Sequence, residues 1–405
     1  MRILFLTNLL PYPLDNGGKI KTYTTLKSLS SNEHIIDLVC FREQINEDID
    51  STYELKKICN SVTTIYQKLT TAENKKYMIV MAAKSLLSKY SFGTYKYLSN
   101  EMKLTIKDLF ERNNYDCVYF DHLQLCVYQK YISQLSPDIR ILLDEHNCEA
   151  LIMKRNKKSS SNILKRVFLT LEAFKLQKFE TKSIMNADNT IVLSKEDYRE
   201  LSKETGENFT HSVIPIGIGD SNFIKEIKEI DKIPKILFIG TLTWAPNNEG
   251  IIWYLKKVVP LLESKMKFQL YIVGKNPSEE VKRLTEGKEN ITVTGYVDSV
   301  DLYYEICDYM IVPLLSGSGQ RVKIIEAFSK GMPVISTKIG AEGLEYKDGK
   351  SIFIADTPEE FVKKSEKIIE LTTRKVLSEN SKDVFERNYS IRAVSKKINE
   401  ATVGK

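Results

Sequence analysis

Short unbroken runs of Val, Ile and Leu recur along the chain, separated by longer stretches whose apolar residues fall on one helical face. In the first half these runs are RILFLT, HIIDLVCF, SVTTIY, CVYFD, RILLDEH and NTIVLS. A strand with one wet face alternates apolar and polar residues, whereas an unbroken run marks a strand covered on both faces, as in a parallel sheet. A charge-alternating stretch at 221–235, SNFIKEIKEIDKIPK, interrupts the pattern, which resumes with KILFIGTL, FQLYIVG, ITVTGYV, YMIVPLL, PVISTK and SIFIAD. The remainder, 358–403, is charged and helical in composition. The pattern predicts an α/β chain with two doubly wound parallel-sheet domains in tandem. Residues 1–220 make the first domain, 221–235 the linker, 236–385 the second domain, and 386–405 a final helix placed to pack across the junction. Open α/β sheets bind ligands beyond the carboxyl ends of their strands, so two such domains facing one another enclose a cleft, and the chemistry is expected in the loops after strands.

Composition narrows the class. Of 405 residues, 42% are hydrophobic and 28% charged, with a formal net charge of +6. That balance fits a globular chain of two or three domains at roughly 150 residues each and excludes disorder and collagen-like repeats. The cysteines at 40, 59, 117, 126, 148 and 307 lack C-x-x-C spacing, and several sit in apolar runs, so they read as reduced core thiols. The histidines at 34, 122, 146 and 211 form no metal-binding motif, and no metal is expected. The opening MRILFLTNLLPYPLDNGG has no small-residue cleavage site and reads as a buried strand with its loop. The longest apolar run elsewhere, YMIVMAAKSLL, is broken by Lys84 and falls short of the roughly 20 residues that span a bilayer. The expectation is a cytoplasmic protein, with peripheral placement at the inner face of a membrane left open. The charge excess is modest and no basic motif interleaved with aromatics is present, so nucleic acid is not an expected partner.

Two post-strand loops carry candidate chemistry. The first, TNLLPYPLDNGGKIKTY, puts Gly17 and Gly18 at the start of a helix, where close backbone approach and a helix N-terminus favour an anion; a plain loop-to-helix turn accounts for them equally well. The second, SGSGQRVKIIEA, follows YMIVPLL. Gly317, Ser318 and Gly319 keep its backbone open, and Arg321 and Lys323 place two cations in a first helical turn, where they oppose the helix dipole unless an anion is bound. Glu326, on the same helix, is placed to accept hydrogen bonds from a ribose diol. The alternative makes Ser318 a cap, the cations solvated charges and Glu326 half of a salt bridge.

GSGQRVKIIEAFSKGMPVISTKIGAEGL resembles the donor-binding motif of retaining glycosyltransferases of the GT-B fold, family 4, in a branch carrying GSG-x-R-x-K. The opening strand with its Pro- and Gly-containing loop, NADNTIVLS, SVIPIGI and FIGTLTWAPNNEG match as well, so the resemblance spans nearly the whole chain. It implies two facing Rossmann-like domains with an interdomain cleft, the first on the acceptor side and the second holding the nucleotide sugar. It further implies transfer of a sugar from a nucleotide-diphosphate sugar, a co-substrate with no separate cofactor, to a hydroxyl of a glycan or a polyprenyl-diphosphate-linked acceptor. The transfer would proceed with retention, in synthesis of a bacterial-type cell-surface polysaccharide. On the donor side it implies Gly17, Gly18, Gly240, Thr241, Gly295, Tyr296, Val297, Gly317, Ser318, Gly319, Gln320 and Glu326. On the acceptor side stand Asp15, Glu145, His146 and Asn147, of which Asn147 also reads as a helix cap. His122, after CVYFD, matches a histidine that lies near the donor sugar, although from composition alone it reads as a helix-start residue capped by Asp121.

The chain departs from the family pattern twice. Glu326 matches the second glutamate of E-x7-E, the ribose contact, but Ser318 stands where the first belongs. The Arg and Lys that many relatives carry after the first strand of the second domain are absent, since the segment reads GTLTWAPNN. Arg321 and Lys323 are then the catalytic cations: charge builds on a departing nucleoside diphosphate, so cations beside it bind the transition state better than the ground state and serve in place of a metal. A non-catalytic sugar-nucleotide-binding protein of the same fold is the alternative.

A separate signal lies at 154–182, where Lys154, Arg155, Lys157, Lys158, Lys165, Arg166, Lys175, Lys178 and Lys182 face only Glu172 and Glu180. With one oily and one basic face, this segment suits an anionic membrane surface or a polyprenyl-diphosphate acceptor; a core-packed helix with a solvated basic face fits equally.

Overall fold

The computed structural model describes residues 1–14, 16–42, 48–68, 75–159, 163–219, 225–230, 233–317 and 319–404. They form two compact units, Met1–Gly217 with Val394–Lys405, and Ile218–Ala393.

The first unit is a seven-stranded parallel sheet built from β1 (Arg2–Thr7), β2 (Ile35–Arg42), β3 (Ser61–Tyr66), β4 (Cys117–Asp121), β5 (Arg140–Glu145), β6 (Asn189–Val192) and β7 (His211–Val213), in the order β3-β2-β1-β4-β5-β6-β7. Its unbroken apolar runs feed two cores, because successive side chains point to opposite faces. Leu4, Leu6, Val118, Phe120 and Leu143 enter one layer, and Ile3, Phe5, Cys117, Tyr119 and Leu142 the other. The order reverses between β1 and β4, and there the register sets Thr7 beside Asp121 and Asp121 beside Asp144.

The second unit repeats the plan with six parallel strands, β8 (Lys235–Ile239), β9 (Gln269–Val273), β10 (Ile291–Gly295), β11 (Tyr309–Val312), β12 (Val334–Ser336) and β13 (Phe353–Ile354), in the order β10-β9-β8-β11-β12-β13. β8 pairs with β9 on one side and β11 on the other, so the loops after β8 and β11 border the switch point, where crossover helices leave in opposite directions and open a crevice.

Two segments take their places through specific bonds. Within the charge-alternating stretch, Lys225 lies on the second unit: its amide donates to the Lys330 carbonyl at 2.8 Å, and its Nζ to the Glu305 carbonyl at 2.8 Å. The buried Arg374 guanidinium donates to the Lys228 carbonyl at 2.7 Å and pairs with Asp308 at 3.1 Å. At the other end, the helix Ile391–Val403 sends Val394, Ile398 and Ala401, one helical face, into the first unit's core beside Phe5, Leu26 and Leu29. All six cysteines are buried and none forms a disulfide.

The closing helix approaches the backbone so tightly at Gly217 that a methyl group there would stand 2.9 Å from Val394 Cβ. Gly217→Ala should therefore lower the stability of the first unit by about 1–3 kcal/mol, the usual cost of overpacking. Thermal unfolding measures it; an unchanged midpoint would show that this helix yields instead of closing the core.

Candidate active site

In the second unit the loop after β11 leads into the helix Val322–Ser329, whose N-cap, Arg321, is buried. Its guanidinium carbon lies 5.4 Å from the centre of the Trp244 ring. It also packs so closely on Gly317 (φ 114°) that a Cβ there would approach Arg321 Nη2 to 2.8 Å; only glycine meets both the positive φ and the contact. Lys323 reaches back across the switch point. Its Nζ donates to the Ile239 carbonyl at 2.6 Å and to Asn247 Oδ1 at 2.8 Å, while Asn247 Nδ2 donates to the Thr241 carbonyl at 2.9 Å. The Lys323 ammonium thus stands at the end of β8, next to the segment that carries no Arg or Lys of its own. Burial, and after it the Arg321 charge, lower the Lys323 pKa to about 7.

The ends of three adjacent strands interlock here. The Gly240 amide donates to the Val273 carbonyl at 3.0 Å, and the Gly274 amide to the Gly295 carbonyl at 3.1 Å. A Cβ on Gly274 would fall 2.0 Å from the Gly240 oxygen, and one on Gly240 would fall 2.9 Å from Lys323 Nζ. Beyond Gly295, Tyr296 is exposed and Val297 partly so. Gln320 Nε2 donates to the Gly343 carbonyl at 2.8 Å, and Gly319 takes a positive φ of 80°. Glu326 faces the Tyr304 hydroxyl and the Lys330–Asp301 pair, 2.8 Å apart, and burial raises its pKa. Ser318 lies outside the described residues.

In the first unit, Asp121 ends β4 fully buried, and four groups converge on its carboxylate. Thr7 and Thr22 hydroxyls each donate to Oδ2 at 2.7 Å, His122 Nδ1 lies 3.0 Å from Oδ2, and His146 Nε2 lies 2.8 Å from Oδ1. Burial opposes ionisation of Asp121, but the two histidines outweigh it and hold the pKa well below the usual carboxylate range. The same balance of burial against Asp121 raises His122, whereas burial and then His122 lower His146 to about 4. The two rings stack 3.7 Å apart, so a charge on one opposes a charge on the other. His122 adopts φ 84°, a conformation that disfavours a side chain, held by its amide's 3.0 Å bond to the Asp144 carbonyl. Asp144 is itself buried, bonded by Lys21 and by the Tyr119 hydroxyl at 2.7 Å.

A Cβ on Gly18 would lie 3.9 Å from His122 Nε2, which sets the ring against the first turn of the helix Gly17–Ser31. The fold therefore unites Gly18, His122 and His146. Gly17 opens that helix, Asn147 is partly exposed after β5, and Asp15 lies outside the described residues. Glu145 is turned elsewhere: buried, it meets Glu180 of the helix Ile163–Met185, whose Oε1 accepts the Glu149 amide at 2.8 Å.

Asp121, His122 and His146 present ligand atoms within 4.8 Å of one another, the one such cluster among the described residues. Spacing in the sequence could not reveal it, because β4 and β5 bring the residues together. The present bonds commit one nitrogen of each histidine to Asp121, an ordered hydrogen-bond network that fixes ring orientation. Sequence reasoning missed Thr7, Thr22, Asn247 and Gly274. One signal was available: CVYFD ends a doubly buried strand on a carboxylate, which requires partners. Pro246, in the first turn of the helix Ala245–Trp253, likewise marks where Asn247 begins its turn.

Residues 233–371 match the family model described as Glycosyl transferases group 1. A 44.6 kDa protein of the cps region of Klebsiella pneumoniae is 28% identical over 384 residues, 89% of each chain. Among solved structures, sucrose-phosphate synthase from Thermosynechococcus elongatus superposes with a TM-score of 0.71 at 15% identity, over 100% of this chain and 98% of the other. HepE from Anabaena in complex with UDP gives 0.67 at 12% identity, over 100% of both. The two parallel-sheet units have the GT-B fold.

Burial raises both Glu145 and Glu180, the latter to about 8, against ordinary values near 4.5. The folded pair binds more protons than the unfolded chain between those values, so its contribution to stability is lost as pH rises from about 4.5 to about 8. Glu145→Gln removes one of the two facing charges and keeps the shape of the side chain. The fall in melting temperature between acid and mildly alkaline pH should be smaller in the variant, by roughly a few degrees; parallel curves would rule out a shared proton.

Proposed function

We propose that the protein is a glycosyltransferase that moves a sugar from a nucleotide-diphosphate donor to a hydroxyl of a glycan or polyprenyl-diphosphate-linked acceptor. One observation carries the reading: Lys323 Nζ and the Arg321 guanidinium border the switch-point crevice of the second unit, with the Lys323 amine partly buried and held by neutral acceptors. Two cations side by side at a switch point suit an anionic ligand, and a diphosphate is one. The likeness of residues 233–371 to glycosyl transferases group 1 and the UDP bound to HepE support the donor class.

In this reading the departing diphosphate gains charge against Arg321 and Lys323 and the amides of the Gly317–Gly319 loop, which removes the need for a metal or a separate cofactor. Glu326 takes the ribose, and the Gly295–Val297 turn the base. The bond from the anomeric carbon to the phosphate oxygen breaks as the acceptor oxygen attacks from the same face and gives its proton to the departing phosphate, giving retention. His122, oriented by Asp121, positions the sugar, and Asn147 and His146 belong to the acceptor side. The cps-region relative supports a role in cell-surface polysaccharide synthesis.

Arg321→Ala should cut turnover by about 100-fold or more, as loss of a preorganised transition-state contact does, with the fold intact. Sugar release from a UDP- or GDP-sugar panel measures it, and nuclear magnetic resonance of the product reads the anomeric configuration. Wild-type turnover in the variant would remove the leaving-group assignment; nucleotide binding with no transfer to any acceptor would favour a binding protein.

Lys323 makes a separate prediction. With its pKa near 7, the side chain is largely neutral at mildly alkaline pH, and an arriving diphosphate should raise that pKa and draw in up to about one proton. Calorimetric titrations in buffers of different ionisation enthalpy count the proton, which Lys323→Met should abolish. Binding without proton uptake in the wild type would show that Lys323 does not meet the phosphate.

A further inference from the structure

The helix Ile163–Met185 holds two carboxylates, Glu172 and Glu180, and both are buried. Opposite them, Ile163, Val167, Leu171 and Phe174 form a stripe between 49% and 74% exposed. Their spacing of four, four and three residues ordinarily marks a core-facing side, yet Ala173, Leu176 and Ile184 already fill that role on the other side of the helix.

A second apolar strip adjoins it. The helix Lys75–Leu86 and the residue after it expose Ile79, Val80, Leu86 and Leu87, the last at 95%. Lys175 ties the two helices: its Nζ donates to the Ser85 carbonyl at 2.7 Å and the Leu86 carbonyl at 3.2 Å. Leu86 and Leu87 therefore lie beside the turn carrying Leu171 and Phe174. A contiguous apolar patch of this kind marks a contact surface.

Among the described residues of these two helices the exposed charges have one sign. Lys84, Lys89, Arg166, Lys178 and Lys182 are exposed, no acidic residue occurs in 75–90, and the acids of the longer helix are withdrawn into the interior. Lys178 lays its ammonium 4.3 Å from the Phe174 ring centre, with an apolar body beneath and a cation at the rim.

We propose that this face of the first unit docks on an anionic lipid bilayer, its leucines and Phe174 entering the interface and its lysines and arginine meeting the headgroups. A second copy of the chain is the poorer occupant, because a two-fold contact would bring two cationic rims together. The inference does not depend on the reaction proposed above.

Co-sedimentation of the full-length chain with vesicles tests it. Binding is expected to phosphatidylcholine vesicles containing phosphatidylglycerol, not to phosphatidylcholine alone, and should weaken with salt. Leu171→Ser with Phe174→Ser should reduce the partition by roughly tenfold or more, and Arg166→Gln with Lys178→Gln by roughly fivefold per charge removed. All four side chains are exposed, so melting temperature and UDP binding should stay at wild-type values, which separates this test from that of the donor site. Failure to sediment with anionic vesicles, equal binding to neutral ones, or wild-type partition in both variants would overturn the proposal. So would a dimer, seen by sedimentation equilibrium, that the Phe174 change dissolves.

Discussion

Holding the partly buried Lys323 ammonium on neutral acceptors constrains the whole strand-end edge of the second unit. An amine taken partly out of water needs acceptors, and the Ile239 carbonyl and the Asn247 amide provide them. Asn247 must in turn be fastened to Thr241, Gly240 must lack a side chain to admit Nζ, and Gly274 must lack one to let β9 close on Gly240. Because those acceptors are neutral, the amine sheds part of its affinity for a proton instead of being fully compensated. The edge is thus rigid in geometry and holds the Lys323 cation on neutral acceptors, a combination suited to an anion that arrives as substrate and leaves as product.

The first unit solves the opposite problem at the corresponding place in its sheet. There the buried charge is negative, and Asp121 is fully met by two hydroxyls and two imidazoles. Saturation of the carboxylate fixes both rings and sustains the unfavourable backbone angle of His122. The two units share a winding rule, and the switch point of each concentrates its buried charge. The opposite exposures of carboxylates and lysines on the helix Ile163–Met185 extend the same economy of charge to the surface: acids pair inward with backbone amides, and cations face out.

Much of the architecture was legible before any coordinates. Unbroken apolar runs announced strands covered on both faces, and each of the twelve runs quoted contains or overlaps one of the observed strands. The post-strand loop SGSGQRVKIIEA was legible as a candidate site because its glycines and cations conflict with an ordinary helix start. The Asp121 network was not, since Thr7, Thr22, Asp121 and His146 are far apart in the chain and meet only through the pairing of β1 with β4 and β4 with β5. Glu145 shows the limit from the other direction: the strand-end position marked it, but its side chain turns to Glu180, a partner 35 positions away whose approach depends on helix packing.

The sequence by itself determined the class of fold and the neighbourhood of the loop SGSGQRVKIIEA, because both follow from local patterns: hydrophobic periodicity decides which elements form, and glycine decides where backbone can bend. Tertiary structure alone decided which polar atoms meet. That Lys323 occupies the end of β8, that one aspartate orders two histidines, and that an apolar stripe on the helix Ile163–Met185 remains uncovered all depend on which elements the folded chain sets side by side. Hydrogen bonds and desolvation act over a few ångströms, a range that spacing along the chain does not encode.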